Sequence, residues 1–289
     1  MKAIFRVIVI CAVFDAAGAQ RDTVFRIEGR LVEVYATVLD QRGHYRDDLP
    51  GVAFHVLEEG EPQTIKYFET TSRPFQCAIV LDTTGSMANA LPALKNAVLN
   101  FIDQFGPDDS IAIYSFDERL EVRQDFTTDK AAAKRAALRL RAGGRTALFD
   151  AVAEVSREIS DKPGKKSMVV FTDGDDNTSV LTAQAAITRA HKNGIPLFTI
   201  AEGEATRSSQ LRKILSELSL NTGGMAFEAK SPKDMMEVFA RISGEMRHVY
   251  LLAYQPHQVP TDGKWRRILV TVDGIPDGKV RAKQGYFPK

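Results

Sequence analysis

The chain has 289 residues, 44% of them hydrophobic, enough to fill one large core or two modest ones. Lys and Arg number 38 against 37 Asp and Glu, a formal net charge of +1. That balance lacks the basic excess that phosphate backbones demand, which argues against a nucleic-acid partner.

The chain opens MKAIFRVIVICAVFDAAGAQ. Lys2 and Arg6 precede an apolar run from Val7 to Phe14, and Ala17-Gly18-Ala19 forms a small-x-small cleavage site. Residues 1–19 are therefore expected to be a signal peptide cut after Ala19, with the product exported: periplasmic, secreted or at the cell surface. The run is too short to span a bilayer, and Ile10 before Cys11 is not the small residue a lipoprotein signal needs. No later segment approaches spanning length. Cleavage removes Cys11 and leaves Cys77 alone in an apolar strand, where a lone cysteine acts as a small buried hydrophobe and no intrachain disulfide can form.

From about 24 to 69 the pattern alternates with a period of two and shows no helical run. From about 75 to 246 strands alternate with helices. Strands are expected near 77–82, 110–116, 119–124, 167–172, 195–200 and 225–228, and helices near 89–104, 129–140, 147–160, 181–193, 208–221 and 232–246. Such alternation implies right-handed crossovers and a doubly wound, Rossmann-like, mostly parallel six-stranded sheet with helices on both faces. IAIYSF and LEVRQDF, separated by DER, are expected to be a hairpin with an antiparallel edge. From His248 on the chain is again strand-like, in HVYLLAYQP, KWRRILVTVD and KVRAKQGYF. Neither β-rich flank holds enough strands for a core of its own. Residues 20–73 and 247–289 are therefore expected to pair as one small β-sandwich, with the α/β domain of 74–246 inserted in its chain.

Three polar islands lie at strand ends or helix starts of that domain: Asp82-Thr83-Thr84-Gly85-Ser86, Gly143-Gly144-Arg145-Thr146 and Thr172-Asp173-Gly174-Asp175-Asp176-Asn177. In open α/β sheets, sites form outside the carboxyl ends of the strands. If strands 77–82 and 167–172 are neighbours, Asp82 and Asp173 emerge side by side. Two carboxylates ~4 Å apart at an effective dielectric of ~20 repel by about 4 kcal/mol, so a cation must offset them or one must take a proton. The oxygens of Asp82, Thr84, Ser86, Thr146 and Asp173 include no imidazole or thiolate. Hard oxygens with two carboxylates suit Mg2+, with Mn2+ or Ca2+ as substitutes. Asp175, Asp176 and Asn177 read as a solvated acidic turn, and the basic side of helix 129–140 as a solvated face.

Asp82-x-Thr84-x-Ser86, followed by Thr146 and Asp173, resembles the metal-ion-dependent adhesion site of von Willebrand factor A domains, with Thr84 where the family commonly has serine. GG-R-TALFDAV and NTGGMAF also look like that family. The flanks resemble the VWFA-related subgroup described from acidobacteria, through VEVYATVLDQRGHYRDDL, EEGEPQTIKYF, YLLAYQP, DGKWRRILVTV and QGYF. The resemblance implies metal-dependent binding of a protein partner that presents an Asp or Glu carboxylate, and it implies no chemistry. The competing reading is a haloacid-dehalogenase-like phosphohydrolase with Asp82 as nucleophile, since DTTGS also looks like the DKTGT signature. There Thr83 replaces the lysine, and Thr146 has no role.

Overall fold

The computed structural model of the chain describes residues 31–288 apart from 71–73, 163, 221, 258–261 and 276. The expected signal peptide lies outside the described residues. The first flank contributes β1 (Val32–Leu39), β2 (Phe54–Glu58), β3 (Glu61–Gln63) and β4 (Ile65–Glu69). The α/β region follows as β5 (Phe75–Asp82), α1 (Leu91–Asp103), β6 (Ser110–Phe116), β7 (Leu120–Thr127), α2 (Lys130–Leu138), α3 (Leu148–Ser160) and β8 (Lys165–Thr172). It continues through α4 (Ala183–Asn193), β9 (Leu197–Glu202), α5 (Ser209–Leu220), β10 (Ala226–Ala229) and α6 (Pro232–Arg247). The second flank closes the chain with β11 (Tyr250–Tyr254), β12 (Arg266–Val272), β13 (Lys279–Ala282) and β14 (Gly285–Tyr286).

Six strands form the central sheet in the order β10-β9-β8-β5-β6-β7. All pairs are parallel except β6–β7, the expected hairpin at the edge. The near-continuous apolar run of β5 follows from its central place, since a strand covered on both faces has no solvent side to mark. Cys77, Ile79 and Leu81 enter one core with α1, α2 and α6, while Ala78 and Val80 enter the other with α3, α4 and α5. Cys77 is free and fully buried, and burial pushes its thiol up to about 12. Helix starts obey local chemistry: Asp129, Thr182 and Ser231 accept backbone N–H bonds as caps of α2, α4 and α6. Helix α4 stops at Gly194 in the left-handed region, φ +65°.

Strands of the two flanks interleave. One sheet runs β13-β1-β11-β4 and the other β14-β12-β2-β3. Their inner faces share a core of Val34, Val38, Phe54, Val56, Tyr250, Leu252, Ile268 and Val270, so the two sheets form the expected sandwich around the inserted α/β region. Period-two patterning is legible here because each sheet keeps an outer face toward solvent, as in β12, where Ile268 and Val270 are buried and Arg267 and Leu269 exposed.

Candidate functional site

The register of β5 and β8 sets Leu81 opposite Phe171, so both strands end at one level and release Asp82, Thr172 and Asp173 together. After Asp82 the chain turns at once. The Thr84 N–H and hydroxyl both donate to Asp82 Oδ1, at 2.9 and 2.7 Å. Residues Gly85–Ala88 then form a short 3-10 turn before α1, where the sequence alone suggested that the α-helix starts nearer 89. That turn points Ser86 outward. Thr84 Oγ1 and Ser86 Oγ lie 3.0 Å apart, and Ser86 Oγ donates to Asp173 Oδ1 at 2.9 Å. A relay of oxygens therefore runs Asp82, Thr84, Ser86, Asp173, from a fully buried carboxylate to the exposed Ser86.

Thr146, 4% exposed, ends the second island, whose loop is joined to the first through the backbone. Gly85 N–H donates to Gly144 O, and Gly143 N–H to Thr83 O, which ties that loop to the first island. Gly144 has φ +77°, and a Cβ there would stand 3.0 Å from Asp117 Cβ, so glycine is required on both counts.

Thr172 opens the third island but is not among the five expected ligands. Its hydroxyl is fully buried and donates to Asp82 Oδ2 at 2.8 Å, so both oxygens of Asp82 are held. A threonine at a strand end carries no signal until its neighbour strand is known. The acidic turn also needs correction. Asp176 accepts from the N–H groups of Phe149 and Ser179 and from the Ser179 hydroxyl, and Asn177 Oδ1 accepts from Thr146 N–H. Asp175 and Asn177 are exposed, as the solvated reading has it. Asp176 and Asn177 also brace the start of α3 and the Thr146 loop, because backbone donors at a helix N-terminus need acceptors. On α2, Lys130 bonds Phe105 O and Lys134 pairs with Asp103 at 2.5 Å, so part of its basic face is used within the chain.

Burial dominates the electrostatics. It pushes the Asp82 carboxyl up to about 6, against the lowering effect of the Thr84 and Thr172 donors. Asp173 is raised by burial, and Glu202 nearby is raised by burial and by the charge of Asp173. Metal-free, the site holds carboxylates that resist ionising together, with neutral hydroxyl oxygens turned among them. That donor set fits a hard divalent cation. Among the described residues no three His, Cys, Asp or Glu side chains converge as a metal site, so any such capacity depends on hydroxyls. The geometry does not favour a nucleophilic Asp82, since Thr83 stands where the phosphohydrolase signature has lysine and its hydroxyl is turned back onto Phe116 O at 3.1 Å.

Residues 77–241 match the model of the von Willebrand factor type A domain. The chain belongs to that family. A von Willebrand factor type A protein from Catenulispora acidiphila is similar over 90% of this chain and 62% of its own, with 18% identity and a TM-score of 0.53. The vWF domain of the type V pili tip protein Mfa5 from Porphyromonas gingivalis is similar over 61% and 95%, with 13% identity and a TM-score of 0.51. Proximal thread matrix protein 1 from the mussel byssus, solved with a zinc-occupied MIDAS motif, is similar over 63% and 48%, with 20% identity and a TM-score of 0.52. The chain spans 59% of the length of the curated relatives it matches, mycobacterial UPF0353 proteins 24% identical to it. At these identities the likeness establishes the von Willebrand factor A fold. Among the described residues no helix is long and apolar enough to cross a membrane.

Proposed function

We propose that this von Willebrand factor A protein is an exported, non-enzymatic module that binds a protein partner in a metal-dependent way. Asp82, Thr84, Ser86, Thr146 and Asp173 would hold Mg2+. The observation that carries the reading is the oxygen relay from Asp82 to Asp173, in which hydroxyls face two carboxylates whose proton affinity burial has raised. The ion would supply positive charge and an open position attractive to a partner's Asp or Glu carboxylate.

The protein's own residues have separable tasks. Thr172 and the Thr84 N–H orient Asp82, Ser86 brings the relay to the surface, and Asn177 fixes the backbone of Thr146. Export is supported by the N-terminal leader pattern and by the pilus-tip protein among the fold neighbours. The test is capture of cell-envelope proteins in Mg2+, in EDTA, and with Asp82→Ala. Capture only by the unaltered protein in Mg2+ is expected, and equal capture in all three ends the reading.

A further inference from the structure

We infer that the groove between the α/β domain and the sandwich is a second binding site, built for an extended peptide segment that alternates acidic and apolar side chains. The groove has a volume of about 1140 Å³ and runs between α4 and α5 on one side and β12 and β13 on the other. None of Asp82, Thr84, Ser86 and Asp173 lines it, and half of its wall is sandwich. Clefts between domains are where ligand sites concentrate.

Two features of the wall select the occupant. The first is apolar surface left uncovered from both sides. Leu269 is 58% exposed on the outer face of β12 and stands opposite Leu57 of β2 across the ladder, while Leu220 at the end of α5 is 49% exposed. All three line the groove together with Trp265. A single exposed leucine needs no explanation, but leucines from two separate bodies facing one cleft leave apolar area that an occupant would cover.

The second feature is charge. Arg267, Arg281 and Lys283 line the groove against one carboxylate, Glu217. Arg281 is incompletely satisfied. One guanidinium nitrogen pairs with Glu245 at 2.6 Å, another lies against the thioether of Met225, a weak acceptor, and the buried Nε has no partner. Arg267 is 77% exposed, with only a 3.9 Å ion pair to Glu59. Cations spaced among leucines along an open cleft complement carboxylates spaced among apolar side chains, and strand β12 alternates Arg267 and Leu269 on the same face. The chemistry is therefore that of an acidic, apolar peptide in extended conformation.

Trp265 is the only tryptophan in the chain, so intrinsic fluorescence reports on the groove directly. The full-length protein would be titrated with an eight-residue peptide alternating Glu with Leu and Phe, with its Lys counterpart, and with decanoate. A saturable Trp265 response to the Glu peptide is expected, weakened at least about fivefold by Arg267→Glu, by Leu269→Asp and by about 0.5 M salt. Both substituted side chains are largely exposed, so the fold should persist, and far-UV circular dichroism of the variants checks this. The response should be the same in EDTA, which separates this site from the metal-dependent one. No saturable response to the Glu peptide, an equal response to the Lys peptide, or a response to decanoate alone overturns the inference.

Discussion

Replacing Asp82 by Asn isolates the cost of the buried charge. Asp82 is fully buried, and burial pushes its carboxyl from 3.8 up to about 6. A folded-state value above the unfolded one means that the stability linked to the proton is fully present below about pH 3.8. It is lost as pH rises through about 6 and is gone at neutral pH. Two pH units correspond to about 3 kcal/mol. Asn has the same shape, keeps an acceptor for the Thr84 N–H and cannot ionise, so it escapes that loss. In EDTA at about pH 7.5, Asp82→Asn should therefore be more stable than the unaltered protein by about 2–3 kcal/mol. For a folding unit of this size that is about 5–10 °C in Tm. The advantage should shrink toward pH 5, where Asp82 itself takes a proton. In ~10 mM Mg2+ the order should reverse, because only the unaltered protein gains stability from the ion. Thermal unfolding followed by circular dichroism across pH 5–8, with and without Mg2+, reads all of these. An Asn variant less stable than the parent in EDTA at neutral pH, or an identical pH slope for both, would refute the reasoning.

Thr172→Val keeps the shape but removes the donor to Asp82 Oδ2; calorimetric titration should show Mg2+ affinity reduced about 10–100-fold, and an unchanged affinity would remove Thr172 from the site. Gly144→Ala meets both a positive φ and the Asp117 side chain, so urea unfolding should show a loss of about 1–3 kcal/mol; an unshifted midpoint contradicts the required glycine. A fragment of residues 74–246 should fold cooperatively and bind Mg2+, since its two cores draw only on residues of that range; a fragment that stays unfolded, with no melting transition, would show that the sandwich is needed to complete the inserted domain. Thr84→Ser keeps the relay oxygen and should change Mg2+ affinity less than about threefold, with a larger drop assigning a role to the methyl group.

The sequence by itself determined what period and local chemistry can carry. The alternation of strands and helices across 75–246 named a mostly parallel sheet, and the exception at IAIYSF and LEVRQDF named its antiparallel edge. Period-two flanks too small to stand alone named a shared sandwich. The spacing of Asp82, Thr84 and Ser86 was visible because these oxygens exceed what a turn requires. Tertiary structure decided which distant groups meet. Thr172 became part of the site only when β8 was laid beside β5, and an unremarkable threonine in sequence turned out to hold the second oxygen of Asp82. Asp176 and Asn177 read only as solvent-facing acids and amides until α3 and the Thr146 loop were brought against them with unpaired backbone donors. The groove beside Trp265 has no counterpart in any local pattern, since its walls come from residues far apart in the chain. The physical reason is common to all three. Periodicity and capping act between residues a few positions apart, whereas hydrogen-bond satisfaction and burial are settled between whichever surfaces the sheet order makes neighbours.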